Sequence, residues 1–118
     1  MVNSKTILIV DDEPLLLGVF VRRLSKQGYK VLYALNGERG LQLYQDHKSE
    51  INTVIFDVNL AGTLSGWDCI RIIQETKQRP YIICMSGENP TQDSPTPDHF
   101  LKKPFRVQEL ISLLNVLN

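Results

Sequence analysis

No apolar run in this chain is long enough to cross a membrane. The longest, residues 15–21 counting Gly18, has seven members, against the roughly 20 that a span requires. The N-terminus has no basic stretch leading into an apolar one, so no secretory signal is read there. Cysteine is scarce: Cys69 and Cys84 are the only two, and their spacing builds neither a zinc motif nor a redox pair. The two histidines, His47 and His99, lack the spacing of metal ligands and are expected to be structural or exposed. Net charge is missing as well. Thirteen Lys plus Arg balance thirteen Asp plus Glu, so no global positive field holds nucleic acid or an anionic membrane. These absences predict a reduced, cytoplasmic protein with no direct nucleic-acid partner and no membrane insertion, whose function sits in a local site.

What is present is an alternation. The 118 residues, 42% of them hydrophobic, suit one globular domain, 1–118, and show no internal repeat or linker. Thr6–Val10 is a short, mostly β-branched apolar run that stops at Asp11-Asp12-Glu13, as a buried strand ends in a charged loop. Pro14 suits a helix start, and Leu17, Phe20 and Leu24 recur at helical spacing until Gly28. Lys30–Ala34 reads as a second strand, Asn36 as the cap of a helix through Tyr44, and residues 53–56 as a third strand ending at Asp57. Trp67, Ile70 and Ile73 mark a third helix, with Trp67 packing at its start. Residues 81–85 form a fourth strand, ended by Ser86 and Gly87. Pro90, Pro95 and Pro97 constrain 88–98 to a loop or one short turn. His99–Lys102 makes a short fifth strand, and Val107, Leu110, Ile111, Leu114 and Leu117 a last amphipathic helix.

Strands that alternate with helices form a parallel sheet covered on both faces, with its ligand site beyond the carboxyl ends of the strands. The residues at those ends are Asp11 and Asp12, Asp57, Ser86, and Lys103 before Pro104. Three carboxylates close together repel strongly unless a cation or a shifted pKa relieves them. An oxygen-only donor set suits Mg2+ better than zinc. With a lysine and a hydroxyl opposite, such a site is built to take a phosphoryl group on a carboxylate.

The sequence resembles a receiver domain of the two-component response regulators over essentially its whole length, Lys5 to Leu117. The motifs are Ile-Val-Asp11-Asp12-Glu13-Pro14, Ile-Phe-Asp57, Met-Ser86-Gly and Lys103-Pro104-Phe105. The resemblance implies a flavodoxin-like doubly wound (βα)5 fold with strand order 2-1-3-4-5. It implies that Asp57 is the phosphoacceptor for a phosphohistidine on a sensor histidine kinase or phosphotransfer protein. Mg2+ would be bound by Asp12, Asp57 and the backbone carbonyl of Asn59, with Asp11 acting through water. Ser86 and Phe100 would be the switch residues. Lys103 would pair with the phosphoryl group and be placed by a cis peptide to Pro104. The side chains of Asn59 and Glu88 would tune how fast water removes the phosphoryl group. The output partner is unknown, and the expected role is signalling rather than enzymatic, beyond self-catalysed phosphorylation and dephosphorylation.

Each motif also has a plain reading. Acids favour a helix N-terminus, Asp57 can be a polar strand terminus, Ser86-Gly87 is a common turn, and Lys103-Pro104 can simply break a strand. The functional reading prevails because all four would otherwise fall on successive strand ends by coincidence. Phe100 is balanced between switch and core aromatic. Cys69 and Cys84 are expected to be small buried apolar groups, and Arg22, Arg23 and Lys26 a solvated face, near which partner kinases of the family commonly dock. A haloacid-dehalogenase phosphatase would need a second acid two positions after Asp57, where this chain has Asn59. A degenerate receiver acting only as a protein-binding module is the remaining alternative, and the intact set of key residues speaks against it.

Two stretches depart from the family pattern. The loop at 58–66 lacks the common Pro, has Ser65 where an acid often precedes Gly66, and is slightly longer. Ser86 and Lys103 are only seventeen positions apart, so the helix between the fourth and fifth strands is expected to be shortened or absent. With that face incomplete, the symmetric dimer that many relatives form there is not expected.

Overall fold

The structure, a computed structural model, describes residues 5–60, 62–91 and 94–117. Strand β1 (Thr6–Val10) is buried at every residue, which an apolar sequence permits only in a sheet covered on both faces. Helix α1 (Pro14–Lys26), β2 (Lys30–Ala34), α2 (Gly37–His47), β3 (Ile51–Asp57), α3 (Gly66–Gln74), β4 (Tyr81–Ser86), β5 (His99–Lys102) and α4 (Val107–Leu117) follow. The strands form one sheet ordered β2-β1-β3-β4-β5, parallel as the alternation predicts and in the doubly wound order that the family resemblance implies.

Most element starts have a visible local cause. Pro14 stands at the first turn of α1, and Gly28, with φ +93°, turns the chain after it. Asn36 caps α2 by accepting from the Arg39 amide at 2.8 Å. Ser65 caps α3 in a reciprocal box, accepting from Asp68 N at 3.1 Å while the Asp68 carboxylate accepts from Ser65 N at 3.0 Å. A serine therefore replaces the acid often found before Gly66 without weakening the helix start.

Three elements run further than the sequence pattern predicts. Helix α2 continues beyond Tyr44 to His47. Strand β3 begins at Ile51 rather than 53 because the polar Asn52 is satisfied there, its Oδ1 accepting from Thr6 N at 2.9 Å. Its far end includes Asp57, and β4 includes Ser86, because Asp57 pairs with Met85 and Ser86 with Lys102.

Alternate strand residues feed two cores. Leu8, Val10, Val54 and Phe56 pack with Tyr44, Ile70 and Ile73 on the α2–α3 side. Ile7, Ile9 and Ile55 pack with Phe20, Leu24, Leu110 and Leu114 on the α1–α4 side. Cys69 and Cys84 are free and buried, and burial pushes both thiols up to about 12, so they behave as small apolar groups. Among the described residues no helix lies between β4 and β5, as the prolines predict. That connection is tied down instead by hydrogen bonds, among them Ser94 N donating to Thr91 O at 3.1 Å, Gln74 Nε2 to Thr96 O at 2.6 Å, and Asp98 N to Ile82 O at 2.9 Å. Among the described residues no helix is long and apolar enough to cross a membrane.

Candidate functional site

Register brings the polar strand ends together. Val10 lies beside Phe56, Asp57 beside Met85, and Ser86 beside Lys102. One residue further along each strand, the chain places Asp11, Asp57, Ser86 and Lys103 on one edge of the sheet. Carboxylate oxygens of Asp11, Asp12 and Asp57 all lie within 4.8 Å of one another. Lys103 Nζ donates to Asp57 Oδ2 at 2.8 Å and to Asp11 Oδ2 at 3.3 Å. Asp11 is fully buried and Asp57 nearly so, at 4% exposure.

Backbone donors orient the two buried acids. The Glu13 amide donates to Asp11 Oδ1 at 2.9 Å, and the Asn59 amide to Asp57 Oδ1 at 3.0 Å. Each acid thus has one oxygen committed to a local turn and the other facing the lysine. Burial raises the pKa of Asp11 against the opposing pull of the Glu13 amide and Lys103. Burial alone would lower Lys103, but its hydrogen bond to Asp57 and the charges of Asp11 and Asp57 outweigh that and raise it. The ammonium is therefore held charged among acids that outnumber it.

The remaining site residues are distributed as follows. Ser86 is buried, and its Oγ accepts from the Glu88 amide at 3.0 Å. That bond uses a lone pair and leaves the hydroxyl proton free to donate elsewhere. Asn59 is exposed, and it lines a cleft of about 350 Å³ with Ser86, Glu88, Trp67 and Arg71. The Lys103–Pro104 peptide is cis. Phe100 does not join the acids; it is half-buried against the α2–α3 core, on the strand that follows the proline-rich connection. His47 Nδ1 lies 3.3 Å from Glu50 Oε2, His99 is half-buried at the start of β5, and Arg22, Arg23 and Lys26 are exposed on α1.

Sequence reasoning missed two supports of the site. Phe105 stacks on Phe20 of α1, with ring centroids 6.0 Å apart and planes within 2°, which anchors the segment carrying Lys103. The motif Lys103-Pro104-Phe105 contained the residue but not its partner, 85 positions away. Gly66 is the second. A Cβ there would lie 2.0 Å from the Asp57 carbonyl oxygen and 2.5 Å from Val58 Cα, so α3 starts directly against the backbone of the acid. Its position at the helix start was the available signal.

A doubly wound parallel sheet with a carboxylate cluster facing one lysine beyond its strand ends defines an α/β domain with its polar site at the carboxyl edge of the sheet. The profile of the response regulator receiver domain matches residues 7–115, and the chain belongs to that family. Among curated proteins, it is 29% identical to the response regulator GtcR of Aneurinibacillus migulanus over 92% of this chain and 46% of that protein. It is 32% identical to the probable transcriptional regulator ycf27 of Cyanophora paradoxa, again over 92% of this chain and 46% of that protein. The chain thus spans about half the length of these relatives. Similar solved structures include the receiver domain from the hybrid histidine kinase CckA, with TM-score 0.81 and 26% identity over 95% of this chain and 97% of that one. Another is the response regulator TrrA of Thermotoga maritima in complex with Mg(2+)-BeF, with TM-score 0.83 and 27% identity over 97% and 99% of the two chains.

Proposed function

We propose that this receiver domain is a phosphorylation-dependent signalling switch in which Asp57 takes a phosphoryl group from a phosphohistidine on a sensor histidine kinase or phosphotransfer protein. The observation that carries this reading is Lys103 Nζ bridging Asp57 at 2.8 Å and Asp11 at 3.3 Å inside a cluster of three acids. A structural ion pair needs one acid per lysine; two further carboxylates beside it weaken the fold unless a cation joins them.

The donor set fits Mg2+: oxygens only, from two buried carboxylates and one half-buried one within 4.8 Å of one another. Asp12, Asp57 and the Asn59 carbonyl would hold the ion, with Asp11 acting through water. When bound, it offsets charge on the phosphoryl oxygens.

In the transfer, a carboxylate oxygen of Asp57 forms a bond to phosphorus as the phosphorus–nitrogen bond breaks. The imidazole, protonated on its other ring nitrogen, leaves with the electron pair and so departs neutral. Lys103, already on Asp57 Oδ2, follows the charge onto the phosphoryl oxygens, and Ser86 turns its free proton toward them. The product carries about −2 charge, and its contacts with Ser86 and Lys103 shift a pre-existing equilibrium that Phe100 and the β4–β5 connection report to an output protein. Asn59 and Glu88 border the approach of water and set the lifetime of the aspartyl phosphate.

The domain acts as a signalling element rather than an enzyme with an external substrate. It works in the cytoplasm, its kinase docks near α1, and it does not form the dimer that needs a helix between β4 and β5. Incubation with acetyl phosphate and Mg2+ followed by intact mass tests the central step. One phosphoryl unit is expected on the wild type and none on Asp57→Asn or with a chelator. Failure of the wild type to gain it would leave a phosphorylation-independent binding module.

A further inference from the structure

The loop between β3 and α3 carries Asn59 and is anchored at both ends. Asn59 N donates to Asp57 Oδ1 at 3.0 Å, and Gly66 N donates to Val58 O at 3.1 Å. Val58 and Leu60 are buried on either side of Asn59, and Leu64 packs against the α2–α3 core, whereas Gly62 and Thr63 are exposed. A side chain from a different element reaches its described residues. Glu38, in the first turn of α2, accepts from Leu64 N at 2.8 Å and from Thr63 Oγ1 at 3.0 Å through the same oxygen, Oε1.

The rest of the contact is shaped around that carboxylate. Gly62 has φ +106°, and a Cβ there would come within 3.1 Å of Glu38 Oε2, so glycine serves both backbone and space. At the base of α2, a Cβ on Gly37 would lie 2.9 Å from both Leu64 O and Cys69 Sγ. The start of α2, the loop and the start of α3 therefore meet with no room for an added side-chain atom. The two hydrogen bonds hold the Glu38 carboxyl below the usual carboxylate range, so it accepts both bonds at neutral pH.

We propose that Glu38 is a positioning residue of the phosphoryl-accepting site: by clamping the β3–α3 loop from α2, it helps to hold the segment that carries Asn59, whose carbonyl and side chain would serve the metal and the attacking water. This inference rests on the switch reading above. Glu38 touches no reacting atom; it acts through Thr63 and Leu64. Groups that orient a metal ligand from outside typically change affinity by 10–100-fold when removed, and an exposed clamp belongs at the low end of that range.

Wild type, Glu38→Ala, Glu38→Gln and Thr63→Val test the proposal by three readouts. These are amide hydrogen exchange at Leu64, Mg2+ affinity followed by the fluorescence of Trp67, the single tryptophan, and the lifetime of the acetyl-phosphate adduct. In Glu38→Ala, Leu64 exchange should rise about fivefold, Mg2+ affinity should fall about tenfold, and the adduct lifetime should change. Glu38→Gln keeps an acceptor oxygen and should restore most of the affinity. Thr63→Val removes one bond without touching α2 and should give an intermediate loss. Faster Leu64 exchange with affinity and lifetime both within about twofold of wild type would overturn the proposal, as would a Glu38→Gln no better than Glu38→Ala. A wild type that binds Mg2+ but takes no phosphoryl group would instead remove the switch reading itself.

Discussion

The two ends of the parallel sheet treat charge in opposite ways. At the carboxyl end, Asp11, Asp12 and Asp57 crowd around one Lys103. At the amino end, one acid meets one base. Arg79 grips Asp98 with two bonds, at 2.8 and 3.1 Å, and Asp98 Oδ2 also accepts from the Ile82 amide at 2.7 Å. That arrangement joins the start of β4 to the entry of β5, and it leaves no charge in excess. The two ends differ in burial, with Asp11 and Asp57 buried and Asp98 a quarter exposed at its side chain. They differ as sharply in the ratio of acids to bases.

The largest effect should come from breaking the matched end. Asp98→Ala removes a charge-assisted bidentate pair and an acceptor for the Ile82 amide, and should cost about 2 kcal/mol in denaturant unfolding. The hydrogen bond to Arg79 lowers the Asp98 pKa despite partial burial. The contribution is therefore complete above the ordinary carboxylate value and lost as pH falls through the lower folded value. The acid limb of a stability–pH curve should flatten in the variant; an unchanged limb would show that the pair adds nothing.

The crowded end should respond with the opposite sign. Asp11→Asn removes one of three acids and should stabilise the metal-free protein by about 1 kcal/mol while weakening Mg2+ binding. Burial raises the Asp11 pKa, so the native state holds that proton more tightly than the unfolded chain. Stability then falls as pH rises from the ordinary carboxylate value through the raised one, and the variant should lose that fall. A destabilised Asp11→Asn in chelator would overturn the contrast between the two ends.

The smallest effect sharpens the comparison from between the two ends. Thr53 is fully buried in β3, and its Oγ1 has no hydrogen-bond partner among the described residues. Thr53→Val keeps the branched shape and removes the orphaned hydroxyl, so it should stabilise by about 0.5–1 kcal/mol. Thermal unfolding with and without Mg2+ checks this, since the gain should be the same in both.

How legible all this was in the sequence follows from the range of each interaction. Strand ends could be read because apolar runs stop at Asp11, Asp57 and Ser86, and the doubly wound order then brings those stops to one edge. The start of β3 was misplaced because Asn52 looks like a loop residue until Thr6 N is found beside it. The Arg79–Asp98 clamp, the Phe20–Phe105 stack and the Glu38 contact with Leu64 join residues 19, 85 and 26 positions apart. No periodicity encodes such pairs; the crossovers create them. Phe100 was balanced between two roles in the sequence, and its place against the α2–α3 core shows a packing contact that serves either one.

The contact at Gly66 carries a consequence for how this sequence can vary. The space above its α-carbon is filled by the peptide of Asp57 itself, so even a methyl group would have to displace the backbone of that acid. Gly18 and Gly87 face open space and can drift to alanine. Position 66 stays closed for as long as α3 starts against that peptide, which makes a residue with no side chain one of the least replaceable in the chain.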